Sequence, residues 1–343
     1  MNKTSRLSVL AVLSVLSLGA SAPLAFATTL NVSSDSASID YRNAVVKAAD
    51  HMVTTQNTDG GWDWGTPDSS PATGSAVNTL GVTAQALVDA YRLTHQAKYL
   101  IAANKTFALL QKNSAPSTFK LRGPDISFLV DLSTVTGDPK YADFAKTGWD
   151  NDLTRFGSGT ATGFGDSIRD ARHSQGWDGL IPWDINLFVQ GVTKLANYSV
   201  ANAAYGADAT ALAQVIFDDV NAATPLFNWN DDTENGYLFG LTGMLSAMST
   251  VTVSSAITAN DVSTKLMTYS HSGAFFDLSD VNAQGATPSV DDHLTTVQTT
   301  AYAVKALMQS PQNVASAQPS IDYLLAQQDS VSGAWKDGVD ENT

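Results

Sequence analysis

Residues 124–136 read PDISFLVDLSTVT and residues 139–150 read PKYADFAKTGWD, with only Gly137 and Asp138 between them. The first segment is apolar on nearly every side, which is typical of a helix that is enclosed by other helices. The second segment gathers its apolar residues on one stripe and carries Lys and Asp on the other side, as a surface helix does. The two segments therefore predict a helical hairpin with one inner and one outer helix.

The same alternation of inner and outer helices continues along the chain at a period of roughly fifty residues, as in helical repeat arrays. A single hairpin cannot bury its apolar faces alone, so neighbouring hairpins must stack, and a closed ring would enclose the inner helices on all sides. We therefore predict an all-α fold, an α/α toroid of about five to six hairpins, forming a single domain over residues 41–343. Outer helices are predicted at 41–56, 96–112, 139–150, 208–222, 259–269 and 313–328, and inner helices at 79–94, 124–136, 182–198, 236–250 and 295–309.

The N-terminal segment has the pattern of a cleaved secretory signal. Lys3 and Arg6 precede a largely apolar run, and Ala25-Phe26-Ala27 offers small residues at the two positions that a signal peptidase reads. A transmembrane anchor is the alternative, but the run has no basic stop-transfer flank. We predict a signal peptide over residues 1–27, an exposed lead-in over residues 28–40, and a periplasmic or extracellular location.

Composition excludes several classes of function. The formal net charge of −14 disfavours nucleic acid and anionic membranes as partners, and we expect no stable membrane insertion after signal cleavage. The chain has no cysteine, which excludes disulfides, thiolate catalysis and cysteine-ligated zinc. Its five histidines form no H-x-x-x-H or H-E-x-x-H pair, so no histidine-built metal site is predicted.

A short repeated motif resembles a known superfamily. Residues 56–62, QNTDGGW, fit the pattern Q-x-x-x-G-x-W, and residues 328–335 repeat it with one extra residue. Degraded copies stand at 175–177 and 272–275. The pattern is similar to the prenyltransferase/squalene oxidase repeats of the terpenoid cyclase and protein prenyltransferase type of α/α toroid, of which this chain would be an exported member. In that motif we expect the Gln to tie a helix end to backbone and the Trp to pack over the outer helix.

The catalytic motif of class II terpenoid cyclases has a partial counterpart. These enzymes use the middle Asp of D-x-D-D-T as a proton donor, and the nearest match is Ser289-Val290-Asp291-Asp292-His293. The resemblance implies Asp291 as the acid, although Ser289 and His293 depart from the motif. The alternative is an acidic N-cap for the helix that follows. The zinc site of protein prenyltransferases requires a Cys that this chain lacks.

Polar residues recur where the predicted inner helices begin, after the long connections 57–78, 151–181, 224–235 and 271–293. In a ring these helix starts would converge on one mouth and place several carboxylates around one cavity, as general acid–base chemistry requires. Any one of the acids alone is also explained as a helix cap. The residues are Asn78, Asp125, Asp184, Asp232, Glu234, Asn235, Asp291, Asp292 and His293.

The same connections carry aromatic rings and scarce positive charge. The rings could stack on sugar faces or pack between hairpins. Arg suits the carboxylate of a uronic acid. The candidate substrate-binding residues are Trp62, Trp64, Trp177, Trp183, Trp229 and Tyr237, with Phe227, Phe275 and Phe276 nearby, and the positive residues are Arg122, Arg169, Arg172 and His173.

Three functions fit these residues. The leading hypothesis is a secreted polysaccharide lyase or glycoside hydrolase, with Asp184 and Asp125 as the carboxylate pair for hydrolysis. For elimination, Arg172 or His173 would take the proton, and an Asp-bound Ca²⁺ would hold the uronate. The alternatives are an isoprenoid-converting enzyme that acts on a small apolar substrate through Asp291, and a non-catalytic toroid that binds glycans or another ligand.

Overall fold

The computed structural model describes residues 36–63, 75–114, 119–199, 202, 204–232, 234, 236–276, 296–310 and 313–335, except for the side chains of residues 36–40 and 296. Of these residues 71% are helical, in twelve α-helices. The helices are α1 Ser36–Thr55, α2 Leu80–Thr94, α3 Ala97–Asn113, α4 Gly123–Thr136, α5 Lys140–Phe156, α6 Ala161–Ser174, α7 Ile181–Tyr198, α8 Ala204–Val220, α9 Tyr237–Thr250, α10 Ala259–Met267, α11 Thr296–Met308 and α12 Val314–Gln327. A 3-10 helix, Asp178–Leu180, precedes α7, and a hairpin of β1 Ser270–His271 and β2 Ala274–Phe275 follows α10.

The chain is mostly helical, as predicted, and a helix stands at each of the eleven predicted positions. The inner helices α2, α4, α7, α9 and α11 contact one another in this order. An outer helix packs against each inner one: α3 on α2, α5 on α4, α8 on α7, α10 on α9 and α12 on α11. One cluster of buried apolar side chains joins them from Tyr41 to Ile321. None of the described helices is both long and apolar enough to cross a membrane.

Helices α4 and α5 show how local sequence signals begin and end these helices. Pro124 lies in the first turn of α4, where its missing N–H costs no hydrogen bond. Asp125 accepts a hydrogen bond from the Arg122 N–H at 2.9 Å and so caps the helix. Gly137 ends α4 in the left-handed conformation, and α5 begins only three residues later.

One predicted connection is corrected by the structure, and two elements begin where none is predicted. The predicted connection 151–181 is wrong, because α5 continues to Phe156 and α6 occupies Ala161–Ser174. Helix α1 begins at Ser36, within the predicted lead-in 28–40. The β1–β2 hairpin is also new. Residues 28–35 and the predicted signal peptide 1–27 lie outside the described residues.

The two motif turns make matching hydrogen bonds. Gln56 Nε2 donates to the carbonyls of Gly60 at 3.0 Å and Ala102 at 2.9 Å. Gln328 Nε2 donates to the carbonyls of Gly333 at 2.8 Å and Ala44 at 2.9 Å. The first turn therefore joins α1 to α3, which is the next outer helix, and the second joins α12 back to α1.

The tryptophans and glycines of the two turns also correspond. Trp62 Nε1 donates to the Met52 carbonyl at 2.8 Å, and Trp335 Nε1 donates to the Leu324 carbonyl at 2.6 Å. Each indole thus closes the turn onto its own outer helix, which confirms the structural role expected for the motif. Gly60 and Gly333 have φ angles of +101° and +80°. A Cβ there would overlap the backbone of Lys105 or Lys47, respectively, so both positions require glycine.

Candidate functional site

Two predicted site residues form an ion pair at the start of the inner helix α7. Asp184 lies in the first turn of α7, and Arg172 lies in the last turn of α6. The Arg172 Nε–H donates to Asp184 Oδ2. The two side chains are 28% and 19% exposed, respectively, so the pair can be reached from solvent. The predicted connection that proved to be α6 is what brings Arg172 to Asp184.

Asp125 takes a different position. It is 2% exposed, and its carboxylate accepts the Arg122 N–H in the capping box of α4. Burial raises its pKa to about 6, although the hydrogen bond and the charge of Arg122 act in the opposite direction. The described contacts of Asp125 are therefore those of a helix cap and not of a carboxylate open to a substrate.

Lys120 lies behind the ion pair among aromatic rings. Its ammonium nitrogen is 4.2 Å from the ring centroid of Phe164, and the rings of Phe156 and Phe188 are at 5.3 and 5.4 Å. Burial lowers the pKa of Lys120, and the charges of Asp152 and Asp184 partly offset that effect. A cation over ring faces is attracted by their electrons, so this cage holds a positive charge near Asp184.

Three aromatic rings from α7, α9 and α11 lie close to this ion pair. The centroids of Trp183 and Phe239 are 5.5 Å apart, and Tyr302 lies 5.4 Å from both. All three pairs are edge-to-face, and all three side chains keep some exposure. Burial raises the pKa of Tyr302 to about 12, with a further contribution from the charge of Asp184. The aromatic trio is thus adjacent to the Asp184–Arg172 pair.

Below the trio, α7, α9 and α11 enclose a narrow polar recess. Its free space for the centre of a water molecule is about 10 Å³, which is room for about one water. Trp183 Nε1 and Asn186 Oδ1 are buried with no hydrogen-bond partner among the described residues. Buried polar groups are normally paired, so these two atoms are exceptions with unsatisfied hydrogen-bonding capacity. The lining residues are Trp183, Asn186, Leu187, Gln190, Thr242, Ser246, Tyr302 and Lys305.

A network of charges lies beside the recess. Arg92 donates to Asp89 at 2.9 Å and to Asp131 at 2.8 Å, and Lys194 donates to the other oxygen of Asp131. Asp131 is only 3% exposed, which makes this a buried ionic network. Burial lowers the pKa of Lys305 to about 8, and the nearby charge of Lys194 acts in the same direction. Helices α2, α4, α7 and α11 thus all direct charge towards one interior region.

Sequence reasoning missed this ionic network. Asp89, Asp131, Lys194 and Lys305 each stand in a helix that is otherwise apolar nearly all round. A charge in such a helix must be paired or must line a polar cavity. That was the available signal, but partners such as Asp131 and Lys194, 63 positions apart, become visible only in the fold.

The remaining predicted residues fall into three groups. His173 Nδ1 lies 3.0 Å from Asp178 Oδ1, and its side chain is 56% exposed. Trp177 is 42% exposed, whereas Trp62 is 7% exposed and Tyr237 is 1% exposed. The Tyr237 hydroxyl donates to the Trp229 carbonyl at 2.6 Å, and Trp229 itself packs against the core. Trp64, Asn235, Asp291, Asp292 and His293 lie outside the described residues.

No metal site is found in the described part of the chain. No group of three or more His, Asp or Glu side chains there is placed to hold a metal ion, and the Ca²⁺ of the lyase hypothesis stays a prediction. A wider depression, with about 430 Å³ free for the centre of a water molecule, lies among residues 248–259. No charged or aromatic residue lines it among the described residues.

Comparison with known proteins adds no relative. No protein-family model, curated protein or solved structure matches the chain at a significant level.

Proposed function

We propose that this chain is an exported α/α-toroid enzyme that cleaves polysaccharides at the mouth around Asp184. The observation that carries the proposal is the meeting of a partly exposed carboxylate, an aromatic trio and unpaired buried polar groups at one place. Sugars present flat apolar faces and many hydroxyl groups, and this mixture of groups matches both. The exported location rests on the signal-peptide pattern of residues 1–27.

The two motif turns support the toroid. In the first turn, Gln56 of one outer helix binds Ala102 of the next outer helix. In the last turn, Gln328 binds Ala44 of α1. The first outer helix is therefore the partner of the last turn, where a following outer helix would otherwise stand. In an open array the last turn would have no following outer helix to bind, so the repetition of one interaction favours a closed ring.

The recess supports a polar substrate over an isoprenoid. An apolar chain placed over the aromatic trio would leave Trp183 Nε1 and Asn186 Oδ1 unpaired, at a cost of about 1–3 kcal/mol for each group. Sugar hydroxyl groups can donate to the amide oxygen and accept from the indole N–H. The polar lining therefore disfavours the isoprenoid alternative for this part of the interior.

Asp184 is the best placed acid–base group. It is partly exposed and adjacent to the trio, and Arg172 fixes the orientation of its carboxylate. Asp125, the partner expected for hydrolysis, is occupied by its helix cap. We therefore assign Asp184 the transfer of a proton to or from the glycosidic region, with Arg172 as the positioning residue.

The test is a screen of the purified protein on neutral and acidic polysaccharides, read by new reducing ends and by the ultraviolet absorbance of unsaturated products. We expect cleavage of at least one polymer and a loss of about 10²–10⁴-fold in Asp184→Asn. Asp170→Asn is the matched control, because Asp170 is 67% exposed in an ion pair on the outer side of α6. Unsaturated products would assign elimination, and their absence would assign hydrolysis. No cleavage of any polymer, or full turnover by Asp184→Asn, would overturn the proposal.

A further inference from the structure

We infer that the recess selects an anionic sugar by placing the carboxylate or sulfate group of that sugar against Lys305. The inference rests on the proposed function, because it names the substrate class of the same site. It follows from the charge balance of the interior, the size of the recess and the hydrogen-bonding groups left open in its wall.

Among the charged side chains described beside the recess, Lys305 is the cation without a paired carboxylate. Arg92 pairs with Asp89 and Asp131, and Lys194 pairs with Asp131. Lys305 makes no ion pair or hydrogen bond with any of the described residues. Within this group of charges, Lys305 is thus the cation for which the described residues supply no paired carboxylate, in a chain whose net charge is −14.

Lys305 can be reached by a ligand even though the protein surrounds it. More than a third of its surface is open to solvent, but enough protein lies around it that its pKa is lowered to about 8. Burial is the main cause, the charge of Lys194 adds to it, and Asp89 opposes it. An anion bound here would relieve the repulsion between the two ammonium groups and stabilise the charged form of Lys305.

The size of the recess limits what part of a ligand enters. A space for about one water molecule admits a carboxylate or a sulfate oxygen, but not a sugar ring. The ring would then rest on Trp183 and Tyr302 while its charged substituent points inward. The Trp183 Nε1–H and the Lys305 ammonium group are two donors for that substituent, and Asn186 Oδ1 can accept a neighbouring hydroxyl.

The experiment is calorimetric titration of the whole protein with trimers of galacturonate and of glucuronate, their methyl esters, and a sulfated galactose trimer. The esters keep the sugar ring, remove its charge and add one methyl group. We expect an acidic trimer to bind about 10- to 100-fold more tightly than its ester, because a hydrogen bond to a charged group contributes about 1.5–3 kcal/mol. A preference for the sulfated trimer alone would identify sulfate as the anion and would equally support the inference.

The variants test Lys305 itself. Lys305→Met should remove the preference for the acidic trimer and leave binding of the ester within about twofold, whereas Lys305→Arg should keep the preference. Lys112→Met on the exposed side of α3 is the control for net charge. Equal binding of acid and ester by the wild type would overturn the inference and leave the proposed function standing. Failure of every trimer to bind, together with no cleavage of any polymer, would remove both.

The pH dependence supplies a readout that a structural role would not produce. Binding of the acidic trimer should weaken as the pH rises above about 8, because Lys305 loses its charge there. Asp89, Lys194 and Tyr302 also face this region, and of these Tyr302, with a pKa raised to about 12, stays neutral over that range. Lys305→Met should show no such weakening. If binding by this variant weakened over the same pH range as binding by the wild type, the assignment would be contradicted.

Discussion

The turns at Gln56 and Gln328 make the same hydrogen bonds and have different consequences for the chain. Gln56 binds a carbonyl 46 positions away, in the next outer helix, whereas Gln328 binds one 284 positions away, in the first outer helix. The first turn connects neighbours, and the second connects the two ends of the described fold. A local structural unit that is repeated along a chain can thus become the contact that joins its ends.

The turns also differ in how well they are buried. Trp62 is 7% exposed, whereas Trp335 keeps an intermediate exposure. The second turn has one more residue between its Gln and Gly than the first. The first turn should therefore contribute more to stability, and the second should contribute more to the relative position of distant helices.

The largest expected effect is the loss of the buried indole. Trp62→Ala should lower the free energy of unfolding by about 3–5 kcal/mol, and Trp335→Ala by less than half of that, because less apolar surface is lost. Urea unfolding followed by far-ultraviolet circular dichroism measures both. Trp177→Ala, at a 42% exposed position, should change the free energy by no more than about 0.5 kcal/mol.

If Trp62→Ala fails to fold, Trp62→Phe keeps one aromatic ring and removes the N–H that binds Met52 together with part of the buried ring surface. Its cost should be smaller than that of Trp62→Ala, at about 1–3 kcal/mol. A greater loss of unfolding free energy in Trp335→Ala than in Trp62→Ala would show that burial of the indole does not determine which turn contributes more to stability.

The next largest effect is the loss of the glutamine hydrogen bonds, and the two glutamines should differ in which helices are affected. Gln56→Ala and Gln328→Ala each remove two hydrogen bonds to carbonyls and should each cost about 1–2 kcal/mol. Hydrogen exchange read by mass spectrometry should show faster exchange in both α1 and α12 for Gln328→Ala, since the two helices lose a shared contact. For Gln56→Ala the increase should remain near the first turn and α3. Unchanged exchange of α1 in Gln328→Ala would contradict the connecting role of this turn.

The smallest effect is the acid response of the first turn. Asp59 accepts hydrogen bonds from the Gly61 N–H at 3.1 Å and from the hydroxyl and N–H of Ser75. Burial alone would raise the pKa of Asp59, but these hydrogen bonds outweigh it and lower the pKa below 3.8. Its contribution to stability is therefore present above pH 3.8 and is lost as the pH falls through the lowered folded-state value.

Selective ¹⁵N-glycine labelling would follow this response through the Gly61 amide. Its resonance should move with the titration of Asp59 in the wild type and should not do so in Asp59→Asn. The Gly333 amide of the second turn is the internal reference, since it binds the Asp329 carbonyl and not a carboxylate. If the Gly61 resonance moved at the same pH in Asp59→Asn, the transition would be assigned to partial unfolding and not to the titration of Asp59.

The helices were largely predictable because their signals are local. An inner helix such as α4 carries its Pro, its capping Asp and its terminal Gly within fifteen residues, and each signal acts on its own segment. Helix α6 was missed because its apolar stripe is short, with Phe164 and Ile168 buried among Gly, Arg and Asp residues. The β1–β2 hairpin has only two residues in each strand, which is too short for an alternating pattern.

The candidate site was predictable only in part. The sequence identifies both Asp184 and Arg172, but their contact depends on α6, where the sequence predicts a connection. The helix-cap explanation applies to Asp125, because its carboxylate accepts a hydrogen bond from the backbone N–H of Arg122, three positions earlier. Lys305 belongs to no motif, and its place in the recess depends on α7 and α9, which begin far earlier in the chain, at Ile181 and Tyr237.

The contact between Gln328 and Ala44 also sets the order in which the molecule can be completed. At about 5–20 residues per second, roughly 15–60 s of synthesis separate the emergence of these two partners. During that interval the edge of α1 that later receives the last turn must wait without its partner. Contacts between such distant positions slow folding, so joining the ends should be the last step of folding.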